Sequence, residues 1–292
     1  VRPRTLLAWA TAELGRGAGQ SPAAEARTLL AHAAGIEPSR LFLLGEVDDA
    51  GAQHFRELVQ QRAAGTPVQH LTGEAFFRRV RLAVGPGVFV PRPETEVMVE
   101  WALQRLHGLA RTAEVREPLV VELCAGSGAI SRSMVDEFPT ARVHAVELDE
   151  DAFGWAQRNL SGTGVDLVQG DMADAFAELD GQVDLVIANP PYIPLEAWES
   201  VAPDVRDHDP ALALWSGDDG LDATRTVARV AARLLRPGGL VCSEHAEVQH
   251  RSAPAVFVEH GGFTRVEDHP DLAGRARFVS AVRLGEVAGL AG

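Results

Sequence analysis

The sequence predicts an α/β fold, a mostly parallel seven-stranded sheet covered by helices on both faces, preceded by a small N-terminal helical domain and a β-hairpin linker. Three observations predict it. From Pro118 onward, short apolar runs alternate with helical segments, and strands separated by helices make a parallel sheet. The last two apolar runs, "GFTRVEDH" and "ARFVSAVRL", leave no room for a crossover helix and so close the sheet as an antiparallel pair. The amino-terminal part instead repeats Ala and Leu at steps of three and four, the period of helices that pack on one another.

In order along the chain, a first helix covers "TLLAWATAEL" from Thr5. Ser21-Pro22 opens a second, "AAEARTLLAHAAG", where serine can cap, proline fits the first turn and Gly35 ends the helix. A third runs from about Asp49 through "AQHFRELVQQRAAG". Alternation on both sides of Gly85-Pro86-Gly87 predicts a hairpin turning there, which Pro91 and Pro93 end. A helix follows from about Glu94. Strands are expected at Leu119 to Leu123, Arg142 to Glu147, Val165 to Gln169, Val183 to Ala188 and Gly239 to Glu244. The expected domains are 1–75 (helical), 76–93 (hairpin linker) and 94–292 (catalytic). The segment from Pro194 to about Leu221 is long and polar for a connection, and loops of that kind are often functional.

Composition narrows the function. The chain has 292 residues, 46% hydrophobic, enough for a full core. No apolar run approaches the ~20 residues that span a bilayer, and the stretch "VRPRTLLAWATAELGRG", with no long apolar core, leads to the expectation of no export. A cytoplasmic protein that avoids membranes is the expectation. Cys124 and Cys242 fit neither a disulfide framework nor a metal-ligand spacing and are expected to be small, buried and inert. All 27 basic residues are arginine, which removes lysine nucleophiles and Schiff bases. Residues 1–90 carry 10 Arg against 8 acids and residues 91–292 carry 17 Arg against 33, balances of +2 and −16. Long nucleic acid is therefore a poor partner for the second part. No His/Cys/Asp cluster has metal spacing, so no metal is expected.

Four strand ends carry candidate site residues. In "VVELCAGSGAI", Gly126 and Gly128 permit a tight turn and a ligand's approach to bare backbone, although a small-residue structural turn looks similar. The pattern lacks the Lys-Ser or Lys-Thr of a phosphate loop. Glu147 ends the next strand and can accept both ribose hydroxyls of an adenosine, or can merely cap the acidic run "ELDEDAF". Asp171 can accept from an adenine amino group with Met172 against the ring; helix capping and core filling are the plainer roles. Asn189 ends the fourth strand. A ligand of an open parallel sheet sits beyond the carboxyl ends of its strands, so one adenosine-bearing cofactor can touch Gly126, Glu147, Asp171 and Asn189.

The stretch "ANPPYIP" suggests the chemistry. An amide or ring-amino nitrogen is a poor nucleophile, and acceptors on its two hydrogens would aim its lone pair at an electrophile and stabilise the positive charge that grows there. Asn189 Oδ1 and the Pro190 carbonyl can be those acceptors. Pro190 and Pro191 restrict the backbone that carries them, and Tyr192, the single tyrosine of the chain, can pack over a planar amide or base. The rival reading is a rigid turn leaving the sheet. The electrophile that best suits such a site is the methyl group of S-adenosylmethionine.

With these motifs the chain resembles the protein-(glutamine-N5) methyltransferases that modify peptide chain release factors, a branch of the Rossmann-like class I S-adenosylmethionine-dependent methyltransferases. The resemblance spans nearly the whole chain: "SPAAEARTLLAHAAG", "HLTGEAFF", "VFVPRPETE", "ELCAGSGAI", "AVELDEDA", "ANPPYIP", "DPALALWSGDDGLDATR" and "DLAGRARFV". Asn-Pro-Pro-Tyr alone is shared with methyltransferases of DNA and RNA bases; "RPETE" with "GDDGLDATR" is more specific. The resemblance implies a cofactor loop of Cys124, Ala125, Gly126, Ser127 and Gly128, ribose held by Glu147, and adenine bordered by Asp171 and Met172. It implies a target glutamine bound by Asn189, Pro190, Pro191 and Tyr192, with Asn189 and Pro190 catalytic and Asn189 also beside the cofactor. Arg92 and Glu94 to Glu96 would fix the start of the following helix. The implied substrate is the glutamine of a Gly-Gly-Gln loop in a release factor, which the helical domain helps to hold. Departures are Glu147 where Asp is commoner, Glu122 for Asp at the glycine motif, and Cys124 for glycine. Methylation of a ribosomal-protein glutamine, or of a nucleic-acid base, and cofactor binding without turnover are the alternatives. His245 is expected to be structural, and no general base is assigned.

Overall fold

A computed structural model of the chain describes residues 1–16, 21–111, 116–200 and 209–285. These form two compact units. The first contains Val1–Glu74 and Val84–Pro86; the second contains Ala75–Ala83, Gly87–Glu199 and the described residues from Pro210.

In the first unit, helices α1 (Pro3–Leu14), α2 (Pro22–Ala33), α3 (Asp49–Ala63) and the short α4 (Val68–Thr72) surround one core. Leu6, Ala10 and Leu14 of α1 meet Ala26, Leu29 and Leu30 of α2 and Phe55, Leu58 and Val59 of α3, all at the predicted spacing. Gly35 ends α2 in the left-handed conformation (φ 63°). There the amides of Gly35 and Ile36 return to His32 O and Ala31 O, satisfying the last carbonyls of the helix. The expected Ser21 cap is absent: its side chain makes no capping bond, and its carbonyl instead accepts the Glu25 amide. Arg62, 4% exposed, is paired with Glu25 at 2.9 Å and joins α3 to α2.

The hairpin turns earlier than the sequence suggests. Strands β1 (Glu74–Phe77) and β2 (Val80–Ala83) pair across Arg78-Arg79, and Val88 to Val90 form no strand. Arg78 takes a left-handed backbone (φ 52°) that a non-glycine residue adopts only when its surroundings hold it there. They do: its amide donates to Glu96 Oε1 (2.9 Å) and its guanidinium to Glu137 (2.5 and 2.9 Å) and Glu100 (2.6 Å). Gly87 (φ 88°) passes close to Asp151, where a Cβ would lie 2.8 Å from that residue's Cβ.

After α5 (Thr95–Arg111) come β3 (Leu119–Leu123), α6 (Ala129–Glu137), β4 (Arg142–Glu147), α7 (Glu150–Leu160), β5 (Asp166–Gln169) and β6 (Val183–Ala188). Then follow the short α8 (Ala211–Leu214), α9 (Asp222–Leu234), β7 (Leu235–Glu244), α10 (Ser252–His260), β8 (Phe263–Pro270) and β9 (Ala276–Arg283). The sheet order is β5-β4-β3-β6-β7-β9-β8, with β3 to β7 parallel and β9 antiparallel to both neighbours. β7 starts four residues before the predicted Gly239, and its pairing with β6 shifts register between Val183 and Leu185. The one polar break in β6 is accounted for: buried Asp184 accepts the Leu119 amide (2.8 Å) and Arg236 Nε (2.5 Å), bracing the β3 and β7 starts. β3 and β6, buried along their whole length, are central, so the β3–α6 and β6 exits open side by side at their carboxyl ends.

Candidate active site at the strand ends

The chain leaves β3 through a loop with three left-handed residues, Cys124 (φ 61°), Gly126 (φ 54°) and Gly128 (φ 78°). This conformation costs a non-glycine residue about 1–2 kcal/mol, so Cys124 is the strained member. The loop is anchored by Ala125 N–H to Val146 O (3.0 Å) and Gly128 N–H to Ala125 O (2.8 Å). A Cβ at Gly128 would lie 3.0 Å from the Leu160 side chain, which would have to give way, on a backbone that is itself left-handed. Gly126 differs: nothing lies within 4 Å of where its Cβ would be, so the loop presents bare backbone to open space. Asn159 on α7 braces the loop, donating to Ser127 O (2.9 Å) and exchanging two hydrogen bonds with the Ala83 backbone.

Glu147, at the end of β4, joins this loop directly. Its Oε2 accepts Gly126 N–H at 2.7 Å and its Oε1 accepts Asp149 N–H at 2.9 Å, leaving each oxygen a further acceptor position. Burial raises its pKa, against these backbone hydrogen bonds. Below the loop, Glu122 is fully buried on β3; Oε2 accepts from the amide (2.8 Å) and hydroxyl of Ser131, while Oε1 has no partner among the described residues. Burial pushes Glu122 up to about 8.

Of the residues after β5, Asp171 is exposed and its Oδ1 accepts the Ala173 amide two residues on, a local side-chain turn and not the expected helix cap, since no helix begins there. Met172 packs on the sheet core with Sδ 3.6 Å from Cys124 Sγ, so core filling is part of its role and the β3 and β5 exits touch. Cys242 is buried as expected, whereas Cys124 is partly exposed. Burial and then the Glu147, Glu122 and Asp171 carboxylates push the Cys124 thiol well up, which makes it no nucleophile.

Asn189 to Tyr192 leave β6 beside these loops. Asn189 Nδ2 donates to the hydroxyl of Thr95 at 3.3 Å, so its Oδ1 is the end left for a ligand. Pro190 is buried and Pro191 and Tyr192 half-buried. The Tyr192 phenol donates to Glu244 Oε1 at the end of β7 (3.3 Å); burial and that carboxylate raise its pKa, so it stays a neutral ring. Its carbonyl accepts from Gln249 Nε2 (3.0 Å), which also reaches Asp219 O and Gly220 O. Gly220 (φ 77°) packs so closely that a Cβ would lie 2.5 Å from Tyr192 O. Ile193 pairs with Trp215, so the chain returning through "LWSGDDG" backs the Asn-Pro-Pro-Tyr segment. Part of the long segment after Pro194, residues 201–208, lies outside the described residues.

At the junction, Arg92 O accepts the Thr95 amide, Pro93 O accepts the Glu96 amide, and Glu94 lies 3.8 Å from Arg275. His245, 0% exposed, has Nδ1 at Ala246 O (2.9 Å) and Nε2 at Asp268 (2.8 Å), a structural arrangement. Asn159, Glu244 and Gln249 are site-building residues that sequence reasoning missed, and Thr95, named there only within the stretch Glu94 to Glu96 at the helix start, has a contact with Asn189 that was not foreseen. Among the described residues no group of His, Cys, Asp and Glu could hold a metal, and no helix is long and apolar enough to cross a membrane.

Comparison with known proteins adds to this geometry. Residues 5–73 match the family described as PrmC N-terminal domain and residues 120–208 that described as methyltransferase domain. The release factor glutamine methyltransferase of Streptomyces coelicolor is 51% identical, covering 94% of this chain and 96% of that protein. The protein of the same name from Mycolicibacterium smegmatis is 42% identical, covering 97% and 99%. The 4-amino-L-phenylalanine/4-methylamino-L-phenylalanine methyltransferase of Streptomyces pristinaespiralis is 44% identical, covering 85% and 83%.

Proposed function

The chain belongs to the release factor glutamine methyltransferase family, and from that premise we propose that it methylates, with S-adenosyl-L-methionine, the side-chain amide nitrogen of the glutamine in the Gly-Gly-Gln motif of peptide chain release factors. Its seven-stranded sheet with one antiparallel insertion is the class I methyltransferase architecture. The reaction is assigned to the cytoplasm, where release factors act. Residues 1–75 are the part assigned to holding the protein substrate, 76–93 the linker and 94–292 the catalytic part.

The observation that carries the reading is the Asn189 carboxamide at the exit of β6, its nitrogen given to Thr95 and its oxygen left to accept. A glutamine amide has two hydrogens to give, and Asn189 Oδ1 and the Pro190 carbonyl are the acceptors assigned to them. Tyr192 is assigned to pack against the planar amide. Transfer leaves an amide nitrogen with one proton in excess, acidic enough to lose it to water. The site therefore needs alignment and no base, in keeping with the sealed position of His245.

The residues fit the cofactor. The open space over Gly126, the remaining acceptor capacity of Glu147 and the unpartnered buried Oε1 of Glu122 lie around one loop. Cys124 to Gly128 would border the cofactor, Glu147 its ribose, Asp171 and Met172 its adenine, and Asn189 its reactive end. Bound there, S-adenosyl-L-methionine supplies an electrophilic methyl group.

One observation favours a second reading: the 44% identity to an enzyme named for 4-amino-L-phenylalanine. An aryl amine also has a nitrogen with a delocalised lone pair and two hydrogens, and suits the same acceptors. The greater identity and coverage of the release factor enzyme favour the first reading. The test offers labelled cofactor with a release factor, a ribosomal protein and 4-amino-L-phenylalanine in parallel. Label on the Gly-Gly-Gln glutamine supports the proposal; label only on another acceptor overturns it.

A further inference from the structure

We infer that Gln249 is a positioning residue for methyl transfer: its side-chain amide locks the Tyr192 carbonyl onto the Asp219-Gly220 turn and so holds in place the Asn-Pro-Pro-Tyr backbone that carries the acceptor oxygens. The inference rests on the reading of that segment given above and deepens it. It also gives a task to "GDDGLDATR", a motif that the transfer chemistry itself leaves unused.

The segment that carries the acceptors has left β6, and Pro190 and Pro191 have no N–H with which to anchor it. Its far end is held instead by Gln249, whose Nε2 donates to Tyr192 O at 3.0 Å. The same nitrogen meets Gly220 O at 3.3 Å and Asp219 O at 3.4 Å, so one amide group with two hydrogens joins carbonyls of two separate segments. Gln249 is 4% exposed, which leaves water little chance to stand in for it. The other end of its carboxamide is committed too: Oε1 accepts the Ala246 amide at 3.0 Å. A flipped carboxamide would set an oxygen against three carbonyls and hydrogens against an amide, so one orientation fits.

The turn on which Gln249 leans is itself fixed. Ser216 Oγ accepts the Ala223 amide in the first turn of α9 at 2.8 Å, and Asp219 Oδ1 accepts the Leu221 amide (3.0 Å) and Arg225 Nη1 (3.1 Å). Helix α9 in turn buries Val227, Ala231 and Leu234 in the sheet core. Gly220 makes room for the joint, since a Cβ there would lie 2.5 Å from Tyr192 O and 2.8 Å from Gln249 Nε2. Support therefore runs from the core through α9 and the turn to Gln249 and Tyr192. A shift of about 1 Å in a reacting group costs rate, whereas the cofactor loop after β3 shares none of these bonds.

Tyr192 is the single tyrosine of the chain, so tyrosine labelled with carbon-13 at its carbonyl gives one labelled signal in nuclear magnetic resonance. In the full chain that signal should move when Gln249→Met removes the donor, and in Gly220→Ala, whose Cβ wedges the same joint while Gln249 stays. In the transfer assay both variants should lower kcat about tenfold or more with the cofactor KM within about twofold. Here kcat is taken per cofactor-binding site titrated by calorimetry, so that unfolded chain does not count. Gly220→Ala decides the matter where Gln249→Met does not fold. An unmoved carbonyl signal, an unchanged kcat, or a cofactor KM that rises as kcat falls overturns the inference. The carbonyl signal needs no acceptor, and kcat is read on whichever acceptor the parent chain labels, so a failure of the functional reading shows separately, in the parent.

Discussion

The carboxylate of Glu147 accepts the backbone amide of Gly126 at 2.7 Å, tying the end of β4 to the glycine loop after β3. One residue therefore shapes the loop and offers the acceptors assigned to the ribose. Glu147→Ala should weaken cofactor affinity about tenfold or more, while Glu147→Gln, which keeps one acceptor, should lose less. Titration calorimetry with S-adenosyl-L-methionine separates these; equal affinity in Glu147→Ala and the parent chain rejects the ribose assignment.

Asn189→Ala should reduce kcat by about a hundredfold and leave cofactor affinity within about threefold, because an acceptor for the substrate is lost and the loop after β3 is untouched. Single-turnover rates at saturating cofactor measure this, and a rate within twofold of the parent would remove Asn189 from the chemistry.

Gly220→Ala should destabilise the chain by about 2–3 kcal/mol, combining a left-handed backbone with a Cβ pressed on the Tyr192 carbonyl. Gly35→Ala is the control: it shares the positive φ but has nothing within 4 Å, and should cost only about 1 kcal/mol. Urea unfolding of the two variants compares them. Equal losses would mean that the close approach at Tyr192 is unimportant.

Glu122 gives a pH dependence of stability. Its folded-state pKa is pushed up from 4.5 to about 8, so between those values the folded chain holds a proton that the unfolded chain has released. This contribution is present in full below about pH 4.5 and is lost as pH rises through 8. Glu244 adds the same sign up to about 7. Stability without cofactor should therefore decline from pH 5 to pH 8, less steeply in Glu122→Gln. Parallel slopes in denaturant titrations of the two proteins would refute the assignment.

The parallel sheet was legible because its strands are short apolar runs set apart by helical segments, and the position of Asn-Pro-Pro-Tyr at a strand exit because a proline pair ends a strand locally. What the sequence hid depends on distant partners. The hairpin turn at Arg78 is set by Glu96, Glu100 and Glu137, the last 59 residues away, whereas Gly85-Pro86-Gly87 carries the stronger local turn signal. The start of β7 was concealed by Pro237-Gly238-Gly239, which reads as a turn but runs on into the strand. In the site, Thr95 meets Asn189 from 94 residues away, and Glu244 and Gln249 reach Tyr192 across 52 and 57. Composition and spacing do not report such meetings. Asp171 and Met172 show a turn-closing carboxylate and a core-packing thioether at the rim of the loop.

The clamp on the acceptor nitrogen is tested most directly by a crystal structure of the chain with a release factor and the demethylated cofactor. The account predicts the Gly-Gly-Gln glutamine nitrogen within hydrogen-bonding distance of both Asn189 Oδ1 and the Pro190 carbonyl. A complex in which those oxygens face away from that nitrogen would contradict it.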